Sequence, residues 1–114
     1  MSECLFCGII DGRIKGDIVY QDPSILAFKD VQPRAPVHLL IVPRKHIATL
    51  LDLETSDGAL VGEIFRVAGR LAEEQGIAKR GFRVVVNCGA EAGQSVFHLH
   101  FHLLGGRALG WPPG

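Results

Sequence analysis

The chain has 114 residues, of which 47% are apolar and 21% are charged, a composition that suits one folded domain and argues against disorder. Twelve basic and twelve acidic side chains give no net charge, so the basic excess typical of proteins that bind duplex nucleic acid or membrane surfaces is missing. No signal peptide and no apolar run of about twenty residues is visible. We therefore expect a cytoplasmic protein with a small-molecule partner, which binds neither nucleic acid nor a membrane.

The first half of the chain predicts a short helix and three strands. Residues 6–11 read as a short helical turn, because a glycine closes them. Residues 18–21 and 25–29 read as strands around a turn-forming Asp-Pro-Ser. Two prolines make residues 31–36 a loop, and residues 38–42 follow as a strand that ends at a third proline.

The second half predicts one long helix and two further strands. Ser56 is a candidate N-cap for a helix over residues 57–75, with Gly76 as its stop. Residues 82–86 and 96–104 are predicted strands. Adjacent strands joined by short turns favour an antiparallel sheet. The expected fold is therefore α+β: one domain, residues 1–114, with a five-stranded antiparallel sheet, one long helix and a short N-terminal helix.

The long helix has more apolar surface than one sheet needs. One continuous face carries Leu60, Ile64, Val67, Ala68 and Leu71, and a second stripe carries Val61, Phe65 and Ala72. The helix also contains three glycines, Gly58, Gly62 and Gly69, each of which costs about 1 kcal/mol relative to alanine. The pattern indicates either a deeply buried helix or one that also packs on a second subunit.

Three of the five histidines alternate along the last predicted strand. His98, His100 and His102 would share one face, because alternate residues of a strand point the same way. Leu99 and Phe101 would point into the core. This row predicts either a metal site or a row of acid–base and nucleophilic groups.

Two other segments carry candidate chemistry. Residues 87–95 are rich in small residues, so their N–H groups could form an anion-binding nest beside the histidines, although a flexible turn has a similar composition. Cys4 and Cys7 have the Cys-x-x-Cys spacing of structural zinc sites, with His46 and His98 as the spare histidines. The alternative is a pair of reduced thiols on a short helix. Cys88 reads as a buried free thiol.

The motifs resemble those of histidine triad (HIT) nucleotide-binding proteins of the HINT branch. The triad signature is met by residues 98–104, and the tail Trp-Pro-Pro-Gly at residues 111–114 also matches. The similarity extends through residues 27–31, 35–43 and 85–87. It implies a HIT-like fold whose sheet continues across a homodimer, with the tail serving the partner's site.

The resemblance also implies a function. It is that of a hydrolase cleaving the P–N bond of purine nucleoside 5′-phosphoramidates, conjugates of AMP or GMP with an amine, through a nucleotidyl-histidine intermediate. The implied catalytic residues are His100 as nucleophile, His102, His38 and Ser95. The implied nucleotide-binding residues are Phe6, Ile9, Phe28, Asp30, Val31, Asn87, Gly93, Ser95, His100, His102 and Trp111. No cofactor is required for the chemistry, and a structural zinc on Cys4, Cys7, His46 and His98 is expected.

Two other functions fit the same residues. One is a zinc-dependent hydrolase in which the three triad histidines bind the metal. The other is a nucleotide-sensing or interaction protein whose hydrolysis is incidental. Metal content and activity after chelation distinguish the zinc-dependent hydrolase from the phosphoramidase. Turnover on a phosphoramidate distinguishes the nucleotide-sensing or interaction protein from the phosphoramidase.

Overall fold

The computed structural model describes residues 4–114, which form one layer of sheet with a helix on each face. The elements, in chain order, are α1 (Leu5–Ile10), β1 (Ile18–Gln21), β2 (Ile25–Lys29), β3 (Val37–Pro43), α2 (Gly58–Glu74), β4 (Phe82–Val85) and β5 (Phe101–Gly105). All strand pairs are antiparallel, in the order β1-β2-β3-β5-β4. The α+β prediction with five strands, one long helix and one short helix is confirmed. Within the described residues, no helix is long and apolar enough to cross a membrane.

The predicted last strand begins too early in the chain. The prediction began it at residue 96, but β5 begins at Phe101. Its two neighbours pair with it only from that point, through Ile41 opposite Phe101 and Val85 opposite His102. Residues 96–98 form a bend rather than a strand, and Leu99 N–H donates to the Ile47 carbonyl at 2.6 Å instead of to a ladder partner.

The predicted N-cap of the long helix is also wrong. Ser56 lies inside a 3₁₀ turn, Thr55–Asp57, that precedes α2. Asp57 closes this turn by accepting the Glu54 N–H at 2.9 Å, and its other carboxylate oxygen pairs with Lys45 Nζ at 2.7 Å. The predicted stop is confirmed, since Gly76 has a φ of +76° directly after the helix.

The main core lies between the sheet and α2. From the helix it takes Ile64, Val67, Ala68, Leu71 and Ala72, and from the sheet Ile25, Ala27, Leu39, Ile41, Leu99, Phe101 and Leu103. The opposite sheet face packs on α1 in a smaller cluster of Phe6, Ile9, Leu26, Phe28, Leu40 and Val42. Alternation along the strands therefore sends successive side chains to two different apolar layers.

The outer side of α2 and the β4 edge of the sheet do not pack against another helix or strand within residues 4–114. A Cβ added at Gly62 or Gly69 would meet nothing within 4 Å. Phe65, on the same side, is 50% exposed although its ring touches Phe101 edge-on. Strand β4 forms one edge of the sheet, and β1 forms the other. Nothing in the described chain therefore explains the glycines of α2.

Gly105 marks the tightest contact between β5 and the segment after α2. A Cβ there would lie 2.5 Å from Ile77 Cδ1 and 3.1 Å from Ile77 Cβ. We expect Gly105→Ala to lower the free energy of unfolding by about 1–3 kcal/mol, because both groups are buried and cannot separate without repacking. Urea unfolding measures this change. Gly110→Ala, where a Cβ meets nothing, is the control; equal stability of both variants would contradict the prediction.

Candidate functional site

A cavity of about 550 Å³ opens on the α1 side of the sheet. Its apolar end is lined by side chains of α1 and β2, and its polar end by histidines of β3 and β5. Nine of the predicted site residues line it: Phe6, Ile9, Phe28, Asp30, Val31, His38, Ser95, His100 and His102. Asn87, Gly93 and Trp111 do not line it.

The three triad histidines lie on one side of their segment, as alternation predicts, but their rings face three different environments. The ring of His98 is fully buried beside the two cysteines. The ring of His100 lies next to Phe6, and the ring of His102 lies next to His38. Leu99 and Phe101 enter the core on the other side.

A main-chain contact fixes the proton position on His100. The Nδ1–H of His100 donates to the carbonyl of His98 at 2.7 Å. A carbonyl only accepts, so this nitrogen carries the hydrogen, and in the uncharged ring Nε2 retains its lone pair. The ring that lines the cavity is therefore oriented as a nucleophile.

A second chain of hydrogen bonds fixes His38 and His102. The main-chain N–H of Arg34 donates to His38 Nδ1 at 2.9 Å, so the proton of the uncharged His38 ring is on Nε2. This Nε2 lies 2.9 Å from His102 Nδ1 and 3.3 Å from a carboxylate oxygen of Asp30. With Nδ1 accepting, uncharged His102 carries its proton on Nε2, which is buried and has no hydrogen-bond partner within the described residues.

Burial keeps both of these rings uncharged near neutral pH. Burial, reinforced by the neighbouring His100 and His38, lowers the pKa of His102 from 6.5 to about 4. Burial also lowers the pKa of His38, although the Asp30 carboxylate opposes that effect. The polar end of the cavity thus offers hydrogen bonds from uncharged imidazoles.

The aromatic end of the cavity is built from α1 and β2. The Phe6 ring meets Phe28 edge-on with centroids 5.3 Å apart, and it meets His100 in the same manner at 5.0 Å. Between the two ends lies Asp30, whose Oδ1 accepts the Gln32 N–H at 2.8 Å. A flat apolar group would fit the Phe end, and hydroxyl groups could reach the remaining lone pairs of Asp30.

The small-residue loop before the histidines is closed by a side chain. Gln94 is buried; its Oε1 accepts the Gly89 N–H at 3.0 Å, and its Nε2 donates to the Ala48 carbonyl at 2.9 Å. The N–H of Gly93 donates to Ala90 within the loop at 3.0 Å. That N–H is therefore engaged within the loop, and the predicted phosphate contact of the backbone around Gly93 and Ser95 stays a prediction. Ser95 is the member of this loop that reaches the cavity.

The four predicted metal ligands converge at one point. One donor atom from each of Cys4, Cys7, His46 and His98 lies within 4.8 Å of the other three. Cys7 Sγ is 3.3 Å from His46 Nδ1 and 3.5 Å from His98 Nδ1. His98 Nε2 donates to the Pro43 carbonyl at 2.8 Å, as the second nitrogen of a metal-bound histidine commonly does. These two sulfurs and two nitrogens fit a tetrahedral zinc ion.

The geometry does not favour a metal held by the triad itself. Within residues 4–114, the other group of converging donor atoms is Asp30, His38 and His102, and neither group contains His100. In that second group His38 Nδ1 accepts a main-chain N–H, so Nε2 is protonated and closed to a metal. The zinc-hydrolase alternative therefore lacks a shared binding point.

Sequence reasoning missed two residues that shape the polar end. Gln94 fixes the loop before the triad, and its only signal was a long amide among small residues. Arg34 lines the cavity and orients His38 through its main chain, while its own carbonyl accepts from Arg107 Nε at 3.0 Å. Main-chain donation can come from any residue type except proline, so Arg34 gave no specific signal of this role.

The lowered pKa of His102 predicts a pH-dependent stability. The unfolded chain takes up a proton on this ring near pH 6.5, whereas the folded chain does so only near pH 4. The contribution of this uncharged ring to folding stability is therefore fully present above pH 6.5, and it is lost as the pH drops toward 4. We expect the urea concentration at the unfolding midpoint to decrease as the pH is lowered from 7 to 5. His102→Gln should make that decrease smaller. An unchanged dependence in the variant would contradict the assignment.

Comparisons with known proteins agree with this geometry. The sequence profile of the HIT domain matches residues 11–109. Purine nucleoside phosphoramidase of Escherichia coli (strain K12) is 44% identical over 109 residues, covering 96% of this chain and 92% of that protein. The crystal structure of a HIT family hydrolase from Legionella pneumophila Philadelphia 1 superimposes with a TM-score of 0.97, at 48% identity, covering 98% of this chain and 100% of the other. A histidine triad protein from Clostridium difficile gives a TM-score of 0.93 at 43% identity and covers 96% of both chains. The predicted family is thus confirmed, and the chain belongs to the histidine triad (HIT) family.

Proposed function

We propose that the protein hydrolyses the P–N bond of purine nucleoside 5′-phosphoramidates, conjugates of AMP or GMP with an amine, through a nucleotidyl-His100 intermediate. The observation that carries the proposal is the bond from His100 Nδ1–H to the His98 carbonyl, which leaves Nε2 as the nucleophilic nitrogen of a ring lining the cavity. The phosphoramidase named among the relatives supports this reaction class.

The proposed reaction has two displacements at phosphorus. First, the lone pair of His100 Nε2 attacks the α-phosphorus, the P–N bond breaks with its electron pair going to nitrogen, and the amine takes up a proton from solvent that the Ser95 hydroxyl helps to deliver. Second, water attacks the same phosphorus and gives a proton back to solvent, the bond from phosphorus to His100 breaks with its electron pair returning to Nε2, and the nucleoside monophosphate is released. Such chemistry depends mainly on positioning and on donors placed where charge develops.

The polar end of the cavity would hold the phosphoryl oxygens. The buried His102 Nε2–H has no acceptor within residues 4–114, and buried polar groups without partners are rare outside functional sites. A phosphoryl oxygen in the adjoining cavity would supply that acceptor. His38 would maintain this tautomer by donating to His102 Nδ1, and the predicted contribution of Asn87 would come from outside the cavity lining.

The nucleoside would occupy the rest of the cavity. Phe6, Ile9, Phe28 and Val31 form the apolar slot for a purine, and Asp30 would accept hydrogen bonds from the ribose hydroxyls. The slot is apolar and offers no evident means of distinguishing adenine from guanine. This arrangement supports the wider class of purine conjugates.

We also propose a structural zinc ion on Cys4, Cys7, His46 and His98. The convergence of four donors supports it, as does the bond from His98 Nε2 to Pro43. When bound, zinc would supply cross-linking of the fold and no acid or base chemistry at phosphorus.

A symmetric homodimer is the third part of the proposal. The exposed edge of β4 and the uncovered side of α2 would each meet their counterpart across a two-fold axis. The tail supports a crossing role: Trp111 is 82% exposed, its ring is covered by the Arg83 guanidinium, and it does not line the cavity of its own chain. In the dimer, Trp111 would contact a nucleotide conjugate in the partner's cavity.

The nucleophile assignment is tested with His100→Ala. We expect loss of turnover on an adenosine phosphoramidate with AMP binding largely retained, because the ring makes the covalent bond while the other cavity residues remain. Brief mixing of the unaltered chain with substrate should increase its intact mass by one adenylyl group. The variant should show no increase. Turnover of the variant near that of the unaltered chain would refute the mechanism.

The dimer is tested with Gly62→Ala. In a monomer this change would stabilise the exposed helix by about 1 kcal/mol. In the proposed dimer the added methyl group lies between two closely packed helices, so we expect weaker association. Sedimentation equilibrium measures the dissociation constant, and Glu63→Ala is the control, because Glu63 is exposed and lies about 100° around the helix from Gly62. A chain that is monomeric at micromolar concentration, or a Gly62→Ala dimer of undiminished affinity, would contradict the proposed packing.

A further inference from the structure

The four-ligand cluster joins three parts of the chain next to His100. Cys4 is the N-cap of α1 and Cys7 lies within it, while His46 follows β3 and His98 precedes β5. Within the described residues, their donor atoms approach to within 4.8 Å of one another. A metal ion there would therefore connect α1 directly to the segment that carries His100.

The first connection to His100 runs through His98. Its ring is held at Nε2 by the Pro43 carbonyl and faces both thiols with Nδ1. Its main-chain carbonyl accepts the Nδ1–H of His100. A residue whose ring is fixed at both nitrogens has little freedom to rotate its main chain, so metal ligation would also fix the carbonyl that sets the tautomer of His100.

The second connection runs through α1. This helix has six residues, too few to be stable by itself, so its position depends on side-chain contacts. Phe6 lies between the two cysteines and places its ring edge-on against His100, with an interplanar angle of 86°. The cysteines that would hold the metal therefore also hold the aromatic wall of the cavity.

We propose that metal occupancy of the Cys4–Cys7–His46–His98 cluster positions His100 and the base slot, with His98 and Phe6 as the positioning residues that transmit the effect. The metal would thus set nucleotide affinity as well as fold stability, and it takes no part in bond making at phosphorus. This inference rests on the nucleotide site and the zinc site proposed above.

The test compares zinc-loaded protein with protein stripped by a chelator, at a temperature where both are folded. Calorimetry gives the dissociation constant for AMP, and nitrogen-15 NMR of the histidine side chains gives the tautomer of His100. We expect AMP affinity to fall about tenfold on zinc removal, with loss of the single Nδ1–H form, and both to recover when zinc is restored. Equal affinity and the same tautomer in both forms, with only the melting temperature changed, would overturn the inference. So would a chain that binds no zinc.

A pair of phenylalanine variants tests the α1 connection even if the zinc-free chain unfolds. In zinc-loaded protein, Phe6→Leu should weaken AMP binding and also disturb the single Nδ1–H form of His100, without changing zinc content, because leucine keeps apolar volume but loses the ring edge against His100. Phe97→Leu is the control, since Phe97 is 53% exposed and does not line the cavity. Equal AMP affinity of the two variants would overturn the inference. If AMP binding responds as expected but the chain hydrolyses no phosphoramidate, the result would support this inference and refute only the proposed reaction.

Discussion

Burial of Leu99, Phe101 and Leu103 against α2 is the interaction on which the site depends. Each of these side chains is almost fully buried, and each contributes roughly 1.5–3 kcal/mol of hydrophobic stabilisation. Successive side chains of this segment point in opposite directions, so this burial turns the three triad histidines toward the α1 face of the sheet. A shift of one residue would place imidazoles in the core and leucines in the cavity. The position of the candidate nucleophile is thus decided by the opposite face of its own segment.

Local patterns in the sequence were sufficient for most of the fold. Strands β1 and β2 match the prediction residue for residue, because a turn-forming Asp-Pro-Ser separates two short, mostly apolar runs. The start of β5 was misplaced because the ladder begins where pairing with Ile41 and Val85 begins, and both residues lie far away in sequence. The cap at Ser56 failed for a similar reason. Asp57 is held by Lys45, a contact that no local pattern reveals.

The sequence predicted which residues form the site better than it predicted the directions of their hydrogen bonds. The histidine row and the Cys-x-x-Cys pair were evident from spacing, and the structure brings their members together as expected. The sequence could not show that the Gly93 N–H is used within its own loop, or that His38 receives its hydrogen bond from the main chain of Arg34. Both facts depend on main-chain directions, which residue identity does not encode. The roles proposed for Asn87 and Trp111 depend on groups beyond the cavity lining.

The Gln94 side chain has a consequence for the thermodynamics of ligand binding. It occupies the space inside the 89–94 turn and ties it to the Ala48 carbonyl, so the loop already has a single shape before any ligand arrives. A loop of small residues would otherwise lose conformational entropy on closing around an anion, at about 1–2 kcal/mol for each residue that becomes ordered. The loop loses this conformational entropy when the chain folds. An anion beside Ser95 would therefore bind without the further entropic penalty of ordering the loop, and its release would leave the loop unchanged.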